Sequence, residues 1–264
     1  PNVILEKLAW CLQYAKSNRL LPVILGDLFD KPRDNPNWLI TRLLKIMPAD
    51  VIGLYGNHDV HYHPELTDDD SLSLLLEAGR YQLVTAESPW RGVMNGREVF
   101  IGGSSYRQDI PKRFDVDRRS DAPLVIWLTH HDISIPGYDE GRIRPREIPG
   151  VDLLINGHIH RQLEEVVKGQ TRWRTPGNIS RLSRSDASRQ HVPAALRIDV
   201  SADDYQLQHI EVPHRPFDEA FHEAVIDANE ELQASAFVAG LAELQARRTS
   251  AGAGLMEFLN QNVN

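Results

Sequence analysis

The sequence predicts an α/β fold grading into α+β, with strands in two sheets and helices outside them. Three patterns carry this reading. Short Val/Ile/Leu runs alternate with helix-spaced segments over about the first 160 residues, as strands buried on both faces do. From about 162 to 212 the chain turns all-β, its strand-like stretches separated by Gly, Pro, Asn and Asp turns. Residues 217–248 return to a helical pattern with few breakers. Alternating units followed by strands point to a sandwich in which the later strands form or extend a second sheet.

The opening PNVILEKLAWCLQYAKSNRL is a helix, with Leu5, Leu8, Ala9, Leu12 and Ala15 at helical spacing. LLPVILGDLFD then reads as a buried strand running into a glycine. NPNWLITRLLKIM is the second helix, with Asn35 or Asn37 as its cap and Pro36 near its first turn. DVIGLYGNHD is a second strand, and DDDSLSLLLEAGR a helix with acidic residues at its positive end. YQLV, REVFIGGS, PLVIWLTHHD and VDLLINGHIH are further strands, followed by QLEEVVKG, TRWRT, AALRIDV and YQLQHIEV. The expected organisation is one domain over residues 1–212 and a helical extension over 213–264, where Phe221, Val225, Ala228 and Leu232 form an apolar stripe for packing.

Composition narrows the class. With 264 residues, 41% hydrophobic and 25% charged, the chain has ample length for a buried core. Its single cysteine, Cys11, excludes an internal disulfide framework and fits a reducing compartment. No apolar run approaches a membrane span and no signal-peptide pattern opens the chain, so a cytoplasmic setting without membrane attachment is expected. The net charge of −8 is uneven, because residues 213–264 hold 3 basic against 8 acidic side chains. A pI near 5.8 argues against a protein that coats nucleic acid, though not against a local basic rim.

Four apolar runs end in the same kind of residue. PVILG delivers Asp27, VIGLYG delivers Asn57 and His58, LVIWLT delivers His130 and His131, and DLLING delivers His158 and His160. In open α/β sheets the site lies beyond the carboxyl ends of the strands, so these groups are expected to converge. Oxygen donors mixed with imidazoles suit Mn, Fe or Zn. His158 and His160, two apart in an extended segment, project from one face and can reach one cavity.

GDLFD (26–30), GNHD (56–59), THHD (129–132) and GHIH (157–160) resemble the ordered motifs of the calcineurin-like metallophosphoesterase superfamily, across residues 23–160. The resemblance implies a two-sheet β-sandwich flanked by helices, and two divalent metal ions, Mn foremost and Fe or Zn as alternatives. It makes Asp27 the carboxylate bridging the two ions, Asn57, His130 and His158 ligands of the second, and His160 a ligand of the first. His130 and His131 compete for one ligand place, and His130 is preferred because it comes first after the apolar run. The resemblance makes His58 the histidine facing the scissile phosphate, and Asp30 the carboxylate that orients it. The implied chemistry is two-metal hydrolysis by activated water, with His58 protonating the leaving oxygen. The family also carries an Asp-x-His on its first strand, and this sequence has none, since its first Asp is Asp27 and its first His is His58. That strand is expected upstream of Pro1; without it the chain as written is expected to hold one ion well and to be impaired in catalysis.

For the substrate, TPGNISRLSRSD (175–186) and IEVPHRPFDEA (210–220) resemble segments of SbcD-type DNA repair nucleases. This implies a Mn-dependent DNA phosphodiesterase, exo- or endonucleolytic, with DNA as partner and an ATPase subunit as a further one. Arg142, Arg144 and Arg146 before the GHIH motif, and Arg172, Arg174, Arg181, Arg184 and Arg189 after it, offer contacts to a phosphate backbone, Arg181 being the substrate-binding candidate. Two alternatives stand beside this reading. One is a phosphoesterase for cyclic nucleotides or dinucleotides, the other a catalytically weak scaffold subunit.

Overall fold

The structure, a computed structural model, describes residues 2–62, 65–115, 123–183 and 185–220. The chain divides after His214 into two units. Of the second, only Arg215–Ala220 is described, and the stripe of Phe221, Val225, Ala228 and Leu232 lies outside the described residues.

The elements run α1 (Asn2–Ser17), β1 (Val23–Ile24), α2 (Asn37–Ile46), β2 (Ile52–Gly53), α3 (Ser71–Glu77), β3 (Gln82–Leu83), β4 (Trp90–Met94) and β5 (Arg97–Ser104). There follow β6 (Leu124–Thr129), β7 (Leu153–Asn156), β8 (Leu163–Lys168), β9 (Thr171–Thr175), α4 (Asp186–Gln190), β10 (Ala194–Val200), β11 (Tyr205–Glu211) and α5 (Phe217–Ala220). They build three sheets: a parallel β1-β2-β3, a mixed β4-β5-β6-β7-β9-β8, and the antiparallel pair β10-β11.

Packing arranges these in layers. Leu5 and Leu12 of α1, Leu43 of α2, and Leu72 and Leu75 of α3 meet Val51, Tyr55 and Tyr81 in one apolar cluster. A second cluster lies between the sheets. It joins Ile52, Leu54 and Val84 to Val99, Ile101, Leu124, Ile126, Leu128, Leu153 and Ile155, with Leu196, Ile198 and Leu207 packed against it. A third cluster covers the far face of the six-stranded sheet, where Phe100, Val125, Trp127, Leu154 and Trp173 meet Ile133, Ile135, Ile148 and Val151. β6 and β7 are buried at every position because both faces are covered, which is why they read as unbroken apolar runs. The fold is thus of mixed α/β content with several sheets, helices packed outside them.

Two local details differ from the sequence reading, and a third settles a choice it left open. Neither Asn35 nor Asn37 caps α2; Pro36 holds the cap position in an extended conformation, and Asn35 Nδ2 instead donates to the Lys31 carbonyl and to Ser71 Oγ. β4 has no counterpart in the sequence reading, and it forms a hairpin with β5 through Asn95 and Gly96, both at positive φ as a type I′ turn requires. Trp173 is core, its Nε1 donating to the Arg146 carbonyl at 2.9 Å, and is not available to stack a base. Among the described residues no helix is long and apolar enough to cross a membrane.

Candidate metal centre

β1 and β2 run parallel in one sheet, β6 and β7 parallel in another, and the segments leaving their carboxyl ends meet at one place. Asp27, Asn57, His130 and His158 arrive from these four ends. Donor atoms of Asp27, His130 and His158 lie within 4.8 Å of one another. His130 Nε2 stands 3.2 Å from Asp27 Oδ2 and 3.2 Å from Asn57 Oδ1, and His158 Nδ1 stands 3.1 Å from the same Asn57 oxygen.

The chain shapes itself to make this possible. Asp27 and His158 both adopt left-handed backbone, with φ of 53° and 55°, a strain on the order of 1–3 kcal/mol each for a non-glycine residue. Gly26, at φ 94°, leaves room for the His130 ring, which a side chain there would strike. His130 Nδ1 donates to the Leu25 carbonyl at 2.6 Å, which fixes the ring's orientation and turns Nε2 into the cluster. The His58 amide donates to Asp27 Oδ1 at 2.9 Å. Asp59, fully buried, accepts from the amides of Phe29 (3.0 Å) and Gly56 (2.8 Å), tying together the two loops that carry Asp27 and Asn57. The sequence reading passed over Asp59; its signal was a charged residue closing an otherwise assigned motif.

The donor set fits a divalent cation. With Nδ1–H spent on Leu25, His130 Nε2 faces Asp27 Oδ2 and Asn57 Oδ1, two oxygens that carry lone pairs, an arrangement that a cation held among the three satisfies. For bonds of about 2.0–2.2 Å, neighbouring donors around such an ion sit roughly 3–3.5 Å apart, and the spacings above fall in that range. Burial opposes charge on Asp27, but the hydrogen bond and charge of His130 and the His58 amide outweigh it and hold the carboxyl below its ordinary range. Burial, then the neighbouring His130, pushes His158 below the ordinary imidazole range, so it is a neutral donor.

The remaining expected residues lie as follows. His131 is buried and turned away, its Nε2 donating to the Gln108 carbonyl at 2.7 Å. His160 is outside the tight cluster, on the exposed side, and lowered first by burial; the Asp27 charge opposes that shift. His58 is exposed, and its Nδ1 meets the main-chain carbonyl of Asp30 at 3.0 Å. The main-chain carbonyl of Asp30, rather than its exposed carboxylate, makes this contact with the ring. Arg181 Nε donates to the His191 carbonyl at 2.9 Å, an anchor for its own loop.

Residues 4–162 match the calcineurin-like phosphoesterase family. The chain belongs to this family. Members of this family are hydrolases of phosphoesters that work with divalent metal, and in this chain Asp27, Asn57, His130 and His158 are the donors placed to hold an ion. Among curated proteins none matches the sequence. Of solved structures, a Thermus thermophilus sulfate thiohydrolase, SoxB, in complex with glycerol is similar at 13% identity and a TM-score of 0.45, over 80% of this chain and 43% of that one. A hypothetical protein from Thermus thermophilus is similar at 16% identity and a TM-score of 0.45, over 79% and 94%. The phosphoesterase chain thus spans less than half of the first and nearly all of the second.

Proposed function

We propose that this chain cleaves phosphodiester bonds, in DNA before other substrates, with two divalent ions of which Mn is the first choice. The observation that carries the hydrolytic part is the convergence of Asp27, Asn57, His130 and His158 beside an exposed His58. Bound ions would activate water and hold phosphate oxygens. The chain's own residues do the rest. The His58 amide keeps Asp27 Oδ1 in place, leaving Oδ2 to the metal side. Its ring, held through Nδ1 by the Asp30 carbonyl, has Nε2 left to hold a proton for the leaving oxygen. His160, on the exposed side, is the candidate ligand of the other ion.

DNA is favoured by the resemblance of residues 175–186 and 210–220 to SbcD-type nucleases and by the exposure of Arg142 and Arg144 ahead of the GHIH motif. A second reading, a small phosphodiester substrate, is favoured by how many other arginines are engaged. Arg146 Nη2 donates to the Ile110 carbonyl, Arg172 pairs with Glu165, and Arg181 is held by His191. The test is Mn-dependent cleavage of single-stranded or nicked DNA against turnover of a cyclic dinucleotide. DNA cleavage abolished by chelation supports the first reading, and turnover of the dinucleotide alone selects the second. His58→Ala is expected to keep its metal and lose about 100-fold or more in rate; near-normal turnover by that variant removes His58 from the mechanism.

A further inference from the structure

A cleft of about 250 Å³ opens between β8, β9 and β11, lined by Glu165, Arg172, Arg174, Tyr205 and Leu207. It lies apart from the metal donors, at the β8 edge of the six-stranded sheet. Alternation along β9 sends Trp173 into the outer apolar cluster and Arg172 and Arg174 to the opposite face, toward β11.

The charges there do not cancel. Arg172 is matched, its Nε and Nη2 both donating to Glu165 Oε1 at 3.0 and 2.8 Å. The Arg174 side chain, half-buried, makes no hydrogen bond or ion pair among the described residues. Tyr205 Oη is buried next to Arg172 without a well-formed hydrogen bond. His209, on the same face of β11 as Tyr205 and Leu207, keeps Nε2 buried and unpartnered close to Arg174, while its ring is engaged with the Pro176 carbonyl. One unspent guanidinium and one unspent hydroxyl donor therefore line the cleft, and the unspent imidazole acceptor of His209 lies behind its wall, close to Arg174. Each is costly to leave unmet, and a cation without a counter-charge most of all.

We propose that this cleft binds hydrogen phosphate, at a site separate from the metal centre. Its oxygens accept from Arg174 and from Tyr205 Oη, and its P–OH donates to His209 Nε2. The last contact sets the selectivity, because sulfate has the same shape but no proton to give at neutral pH.

The test is calorimetric titration of the chelator-treated protein with inorganic phosphate and with sulfate at pH 7.5. One saturable phosphate site is expected, weakened about tenfold or more in Arg174→Gln and for sulfate, and unchanged in His158→Ala. Tyr205→Phe, which removes a single hydroxyl, is expected to weaken it several-fold and serves where Arg174→Gln fails to fold. Four results overturn the proposal: no saturation, an adventitious ion equally held by both variants, sulfate bound as tightly as phosphate, or loss of the site in His158→Ala. These outcomes leave the hydrolytic reading untouched, since no metal is present in the titration.

Discussion

At Asp59 the chain buries a whole carboxylate to join two loops rather than to meet substrate. Asp59→Ala strands the amides of Phe29 and Gly56, and is expected to cost about 2–3 kcal/mol in denaturant unfolding while also loosening metal binding. Cys11 illustrates a different use of burial, which pushes its thiol from 9.0 up to about 11. The protonated thiol is therefore the native form, and it is expected to react far more slowly with a disulfide reagent at pH 8 than in the unfolded chain. Its folded pKa lies above the unfolded one, so its contribution to stability is full below about 9 and is lost as pH rises through about 11. Unfolding measured across that window checks the sign. Residue identity alone announced Asp27, Asn57 and His158 and left His130 and His131 in competition, because each follows an apolar run. It did not announce that His58 leans on the Asp30 carbonyl instead of its carboxylate, since main-chain acceptors leave no mark in a sequence.

At the scale of elements, the centre depends on how β6 and β7 end. Asn156, fully buried at the last position of β7, accepts from the His131 amide at 3.0 Å and from Thr129 Oγ1 at 2.9 Å, and donates to the His131 carbonyl at 2.9 Å. It thereby ties the turn carrying His130 to the turn carrying His158. Asn156→Ala is expected to weaken metal binding about 10-fold or more without removing any ligand, read by metal titration; Asn156→Asp, which keeps the acceptor and loses the donor, falls between. β5, β6 and β7 were legible because each carries an uninterrupted apolar run, VFI, LVIWL and LLI. β1, β2 and β3 are only two residues long, so their limits within longer apolar stretches were set by pairing and not by composition. β4 went unseen although Asn95-Gly96 marks a hairpin, because WRGVM alternates too weakly to stand out.

Over the whole molecule, metal binding and folding are linked. The donors come from residues 27, 57, 130 and 158 and meet only in the native state, so saturating Mn is expected to raise Tm over the chelated protein. At a hundred times Kd the gain is about 2.7 kcal/mol, or roughly 5–10 °C for a body of this size. A calorimetric scan showing no shift would count against the assigned donor set. The sequence by itself determined the family, the alternation of strands and helices, and the donors at four strand ends, because motif spacing and apolar runs are local properties. Only the tertiary structure decided which imidazole of His130 and His131 turns inward, which arginines are already paired, and that a half-paired cleft lies between β9 and β11. Those outcomes depend on partners from distant parts of the chain, and no local pattern encodes which partner a side chain will meet.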